Sequence, residues 1–202
     1  MDTQIITDFL PLSYQNEIQH EMLMTGFFPW FWNPSTIDSS KQYDIKLHTG
    51  GADNGRDDIQ MYHLFINKET GVQPSPYFNL VRHLLYFLEL KTGIVAKDLI
   101  RVKGNLLFTT NGSAGGTHIP HIDQWETPGT CLSMIYYVTD SDGDTTTYNE
   151  KFAGTKITEF TVEKTITPKK GSILLFESDR FHSSSLPVTT DTRCVINFIF
   201  KI

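Results

Sequence analysis

The sequence predicts a mainly β protein with supporting helices, an α+β chain whose C-terminal half folds into a double-sheet jelly roll with helices packed on one sheet. Three observations predict it. Short alternating or apolar runs separated by turn residues recur from Leu99 to the C-terminus. Two stretches with helical apolar spacing precede them, around Ile18 and around Leu84. The chain has 202 residues, of which 39% are hydrophobic and 20% charged, enough for one well-filled core. We therefore expect a single domain over 1–202, with helices and supporting strands in 1–98 and the jelly-roll core in 99–202.

Taken in order, Gln4 to Thr7 is a short strand and Asp8 to Pro11 a turn. Ser13 is the expected cap of a first helix. Leu12, Tyr14, Ile18, Met22 and Leu23 recur along it until Gly26. Phe27 to Pro34 (FFPWFWNP) contains two prolines, which exclude a long helix. It reads as an aromatic lid on the core, or alternatively as a wall of a substrate cleft. Tyr43 to Thr49 and Ile59 to Ile66 are expected strands, joined by a polar glycine-rich loop. Their histidines, His48 and His63, have no acidic neighbour two positions away and read as ordinary strand residues. Ser75-Pro76 is a helix start, with Phe78, Val81, Leu84, Leu85, Leu88 and Leu90 as its apolar face and Gly93 as its stop.

Leu99 to Thr110 opens the jelly roll, and the loop Asn111 to Gly116 leads to His121. Further strands are expected at Thr130–Val138, Thr145–Tyr148, Glu159–Val162 with Lys164–Thr167, Ser172–Phe176 and Arg193–Phe200, with turns at Asp142-Gly143 and Lys170-Gly171.

The chemistry is concentrated in His121-Ile122-Asp123. In an extended segment, alternate side chains share a face, so His121 and Asp123 can grip one ion while Ile122 packs the other way. Such a pair by itself is common by chance, and it under-ligates a divalent metal. A third ligand is available at His182, sixty-one positions after His121 and just past the apolar run Ser172 to Phe176. Two His and one carboxylate on one face, with other positions open, is the donor set of non-haem Fe(II) oxygenases. Arg193 follows eleven residues after His182 and opens the last strand. A buried Arg requires an anion, and its planar fork suits a carboxylate held by two hydrogen bonds. The plainer alternative is a pair with Asp191. His118 is a candidate for the surroundings of the metal; as a ligand it is weaker, because Pro120 lacks the carboxylate that Asp123 offers.

From about Leu99 onward the sequence resembles the Fe(II)- and 2-oxoglutarate-dependent dioxygenase superfamily, and within it the prolyl-hydroxylase-like branch. Thr130 to Val138 resembles the strand after the iron-binding pair in the oxygen-sensing prolyl hydroxylases, which places Tyr137 where that branch binds the far carboxylate of 2-oxoglutarate. Asp142-Gly-Asp-Thr145 resembles its Gly-Gly-Glu-Thr turn with one Gly fewer, and Pro168 to Phe176 resembles its Pro-x-x-Gly-x-x-x-x-Phe approach to the distal His strand. Short phage-borne relatives are similar in the aromatic stretch after Gly26. The resemblance implies a double-stranded β-helix, with Fe(II) held by His121, Asp123 and His182 as the catalytic metal set. It implies 2-oxoglutarate held by Arg193 and Tyr137, and O2 as co-oxidant. It implies hydroxylation of a C–H bond in a peptidyl proline or an amino-acid-like substrate, with succinate and CO2 formed. The alternative is a non-catalytic or other-metal jelly roll acting as a binding or structural module. Asn105, Thr145 and Asn197 stay unassigned because their strand parity is not fixed.

Composition narrows the remaining classes. A net charge of -6 gives no attraction to phosphate backbones, so the expected partner is a small-molecule or peptide or protein substrate rather than nucleic acid. The two cysteines, Cys131 and Cys194, lie in apolar runs and read as buried free thiols. No positively charged segment leads into an apolar one at the N-terminus and no run approaches a membrane span, so a cytoplasmic location is expected.

Overall fold

The computed structural model describes residues 1–35, 58–68, 70–71, 74–109, 116–124, 129–152, 157 and 159–202. The expected strand Tyr43 to Thr49 with His48, most of the glycine-rich loop after it, and most of the loop Asn111 to Gly116 lie outside the described residues. The chain is mostly β, as expected. Ten strands are described: β1 (Gln4–Ile6), β2 (Phe31–Asn33), β3 (Gln60–Asn67), β4 (Asp98–Phe108), β5 (Cys131–Tyr137), β6 (Thr145–Lys151), β7 (Val162–Ile166), β8 (Ile173–Glu177), β9 (Arg180–Ser184) and β10 (Thr192–Lys201). Among the described residues three helices accompany them: α1 (Leu12–Leu23), α2 (Phe78–Val81) and α3 (Leu84–Thr92).

Seven strands form one sheet in the order β1-β8-β5-β10-β4-β3-β2, and three form a second in the order β7-β6-β9. All pairings among the described strands are antiparallel. Alternation decides what each face of the large sheet does. On β5, Leu132, Met134 and Tyr136 join Cys194, Ile196, Phe198 and Phe200 of β10 on the face covered by the helices. Ile18 and Met22 of α1, Val81 of α2, and Leu84 and Leu88 of α3 are in the same core. The intervening residues Ile135, Tyr137 and Val195 point the other way and meet Leu174, Phe176 and Ile166 between the two sheets. A central strand buried on both faces therefore reads as a continuous apolar run, and each such side chain contributes about 1.5–3 kcal/mol relative to exposure.

Several boundaries differ from expectation. The first helix is capped by Pro11 without any side-chain hydrogen bond, so Ser13 lies inside the first turn rather than at its cap. Ser75 does not start a continuous helix. Its hydroxyl accepts the Tyr77 N–H at 3.2 Å and meets His63 Nε2 at 2.8 Å, which ties it to β3 and delays the helix to Phe78. The helical stretch then breaks at Arg82–His83, and Leu90 at its far end is exposed. Gly93 ends α3 in the left-handed conformation (φ 72°), which its lack of a Cβ permits. Of the expected strands at Glu159–Val162 and Lys164–Thr167, the structure shows one, β7, which starts only at Val162, and β9 was not foreseen. Of the aromatic stretch, Phe28 is core and Trp30 packs on it, whereas Phe27, Phe31 and Trp32 are exposed, so the lid is only partial. His63 is an ordinary strand residue: it is buried and hydrogen-bonded to the Pro29 carbonyl as well as to Ser75. Both cysteines are buried and free. Among the described residues, no helix is long and apolar enough to cross a membrane.

Candidate active site

The site lies where the segment after the 111–116 loop crosses β9. His121 and His182 exchange both backbone hydrogen bonds, N–H to carbonyl at 2.9 Å in each direction. Directly opposed antiparallel residues point their side chains to one face, and here the two imidazole centroids are 4.4 Å apart. The His118 N–H donates to the Ser184 carbonyl at 2.7 Å, which continues the pairing upstream. Two residues downstream of His121, the Asp123 N–H donates to the Ser178 carbonyl at 3.0 Å, and its carboxylate turns back to the same face. The result is a three-donor group: one atom each from His121, Asp123 and His182, all within 4.8 Å of one another.

Local hydrogen bonds suit this group to a metal. His121 Nδ1 lies 3.2 Å from the Ile119 carbonyl and His182 Nδ1 lies 3.2 Å from the Arg180 carbonyl. A carbonyl only accepts, so each Nδ1 donates its proton there, which leaves each Nε2 as the nitrogen available to the cluster, the usual arrangement of a metal-binding histidine. Desolvation, reinforced by the charge of His182, pushes His121 down to about 3, so its ring is neutral. Burial by itself would raise Asp123, but His182, Arg101, His121 and the Ser133 hydroxyl together hold it well below the ordinary carboxylate range. An ionised carboxylate beside a neutral His121 ring suits ligation.

The Asp123 carboxylate is clamped from three strands. Ser133 of β5 donates to Oδ2 at 2.7 Å, Arg101 of β4 donates to Oδ1 at 3.1 Å, and Asn197 Nδ2 of β10 reaches Oδ1 at 3.2 Å and Oδ2 at 3.1 Å. Further along the same face of β10 sits Arg193, four residues from Asn197 or roughly 13 Å of strand. Its guanidinium is buried, and its acceptors among the described residues are the Gly143 carbonyl (Nε, 2.7 Å) and the Thr145 hydroxyl (Nη2, 2.8 Å). Tyr137 donates its hydroxyl to the same Thr145 oxygen at 2.9 Å. Thr145 Oγ1 therefore accepts twice, which fills both lone pairs and leaves its own proton to donate. No carboxylate among the described residues accepts from Arg193, and the expected alternative of a pair with Asp191 is not formed. A buried cation with a spare hydroxyl proton beside it calls for an anion that the described residues do not supply.

Residues 106–201 match the family model described as the 2OG-Fe(II) oxygenase superfamily. That segment contains the three clustered donors and the buried arginine. The enzyme class is that of the 2-oxoglutarate-dependent dioxygenases. For this dioxygenase no curated protein sequence gives a match. Solved structures with the same fold include the non-haem α-ketoglutarate-dependent epimerase SnoN from nogalamycin biosynthesis (TM-score 0.63, 14% identity, covering 98% of this chain and 76% of that one). A second structure of that epimerase holds Fe3+, α-ketoglutarate and nogalamycin RO. A Pseudomonas putida prolyl-4-hydroxylase (TM-score 0.51, 13% identity, 98% and 91% covered) shares the fold. So does a prolyl hydroxylase from Trichoplax adhaerens, in complex with a hypoxia inducible factor peptide (TM-score 0.55, 17% identity, 98% and 83% covered). The superfamily implies Fe(II) and 2-oxoglutarate, and both fit the donor chemistry above: two imidazole Nε2 atoms and a carboxylate for the metal, a buried guanidinium for a dicarboxylate.

Of the residues of the dioxygenase that the sequence singled out, the structure clusters His121, Asp123 and His182, and separately joins Tyr137 and Arg193 through the Thr145 hydroxyl. His118 is not in the cluster; its ring nitrogens face Ser184 Oγ at 2.8 Å and the Asp58 carboxylate at 3.3 Å. Thr145 and Asn197, left unassigned on sequence, lie on the site face, and Arg101 and Ser133 were missed. Asn105 is the cross-strand partner of Val195 and so shares that face too. Close packing around Arg193 gives one sharp expectation. A Cβ on Gly143 would lie 2.7 Å from the Ser185 carbonyl oxygen and 2.9 Å from Arg193 Cδ. Gly143→Ala should lower stability by about 1–3 kcal/mol and displace the guanidinium. Chemical denaturation and 2-oxoglutarate titration of the variant check this: destabilisation with weakened 2-oxoglutarate binding is the expected pair, and unchanged 2-oxoglutarate binding would exclude Arg193 as its anchor.

Proposed function

We propose that this dioxygenase hydroxylates a C–H bond of a peptidyl proline or an amino-acid-like substrate, using Fe(II) bound by His121, Asp123 and His182. In the same proposal, Arg193 and Tyr137 bind the far carboxylate of 2-oxoglutarate, with the Thr145 hydroxyl as a third donor. The observation that carries the reading is a three-donor group together with a buried arginine that has no carboxylate partner among the described residues. When bound, Fe(II) supplies the oxidising chemistry, in which O2 gives one atom to the substrate and one to the succinate formed as 2-oxoglutarate loses CO2. The chain's own contribution is position. The exchanged backbone hydrogen bonds of His121 and His182 fix the two rings, and the clamp on Asp123 fixes the carboxylate. Phe176 packs against the His182 ring at 4.8 Å and keeps water from the inner side.

The substrate class rests on the prolyl-hydroxylase-like resemblance and on two prolyl hydroxylases among the structures with this fold, one of them holding a peptide. We place the chain with the phage-borne members of that branch, read it as one catalytic domain, and read its location as cytoplasmic. The test is anaerobic titration of the metal-free protein with Fe(II) and then 2-oxoglutarate, which needs no substrate. The visible metal-to-ligand charge-transfer band of the chelate is expected in the wild type and absent in His182→Ala. No band in folded wild-type protein at saturating iron would overturn the assignment.

A further inference from the structure

Arg101 contributes a feature that metal and cosubstrate binding do not require by themselves. It lies on β4, opposite Ile199 of β10, and its side chain is 16% exposed. Its one hydrogen bond among the described residues goes to Asp123 Oδ1, while its Nε is buried without a partner there. A largely buried arginine is normally surrounded by acceptors. This one spends its reach on a single oxygen of a carboxylate in the three-donor group. The two Asp123 oxygens are therefore unlike. Oδ2 faces the cluster, 3.7 Å from His182 Nε2, and accepts the neutral Ser133 hydroxyl at 2.7 Å rather than a cation. Oδ1 faces the guanidinium and shares the Asn197 amide with Oδ2.

We propose that Arg101 is a positioning residue that keeps Asp123 a one-oxygen ligand, so that the metal retains the open positions a chelating 2-oxo acid and O2 require. The inference rests on reading His121, Asp123 and His182 as the metal site. The physical reason is coordination arithmetic. Two imidazoles and one carboxylate oxygen leave three of six positions open; a second carboxylate oxygen would close one of them. A metal ion moving onto Oδ1 would have to displace the guanidinium and approach its positive charge. A neighbouring cation also weakens the pull of the carboxylate on the metal. Arg101 thus gives up some metal affinity and in return keeps room for cosubstrate. Removing it should move the two affinities in opposite senses, whereas a residue that merely supports the fold would weaken both.

The test uses the 202-residue chain, Mn(II) followed by electron paramagnetic resonance, and 2-oxoglutarate added by calorimetry to the Mn(II)-loaded protein. In Arg101→Met, Mn(II) affinity should hold or tighten, and 2-oxoglutarate affinity should fall by roughly 10-fold, about 1.4 kcal/mol, because a second carboxylate oxygen on the metal closes a position that its chelate needs. Arg101→Lys, which returns a cationic donor to Oδ1, should bring 2-oxoglutarate affinity back toward wild type. Parallel loss of both affinities in Arg101→Met, or loss of neither, would overturn the proposal. Should Arg101→Met not fold, infrared difference spectra of 13C-aspartate-labelled wild type on Mn(II) addition decide instead. A wide separation of the carboxylate stretches means one bound oxygen and supports the role; a narrow separation means two and overturns it. Failure of the underlying metal-site reading looks different: wild type would then take up no Mn(II), or His182→Ala would take up as much.

Discussion

Asp123→Ala is expected to abolish both Fe(II) binding and turnover. Asp123 is the one anionic donor among the three clustered groups, and the ionised form is what the site is built to hold. Two imidazoles alone make a poor site for a divalent metal, and the carboxylate is also the point on which Arg101, Ser133 and Asn197 converge. Its removal leaves the Arg101 guanidinium beside no carboxylate, so some loss of stability should accompany the loss of metal. The two effects separate by measurement: iron affinity by equilibrium dialysis, folding by circular dichroism and thermal melting. A folded Asp123→Ala protein with near-normal iron affinity would remove Asp123 from the ligand set.

Arg193→Ala should leave iron binding intact and raise the 2-oxoglutarate requirement. A charge-assisted hydrogen bond contributes about 1.5–3 kcal/mol, which corresponds to roughly 10- to 100-fold in affinity. Cosubstrate contacts far from the reacting carbon act on ground state and transition state alike, so the concentration dependence should move more than the limiting rate. Arg193→Lys should fall in between, since an ammonium keeps the charge and loses the planar fork. Steady-state rates against 2-oxoglutarate concentration, alongside the iron titration, read these out. Wild-type dependence in Arg193→Ala would place the anchor elsewhere.

How far the sequence alone reaches is visible at single residues. His121 and Asp123 were legible as a pair because alternation along an extended chain is a local property. The continuous apolar runs of β5 and β10 were legible because strands buried on both faces have no polar side to interrupt them. Gly93 was legible as a helix end because only the local backbone conformation matters there. Ser75 misled for a complementary reason. Its hydroxyl bonds to His63 on β3, a tertiary contact that overrides its local tendency to cap a helix. The strand β9 was invisible because Arg-Phe-His-Ser-Ser carries no alternation of its own; its pairing with β6 and with His121 makes it a strand.

The sequence by itself determined the donor types, their spacing and the β-rich class, because residue identity and two-residue periodicity are written locally. Tertiary structure alone decided which groups surround them. Ser133, Arg101 and Asn197 lie 10, 22 and 74 positions from Asp123, and Thr145 lies 48 positions from the Arg193 it meets. Such meetings depend on strand register, and a slip of one residue would turn each of these side chains to the opposite face of the sheet.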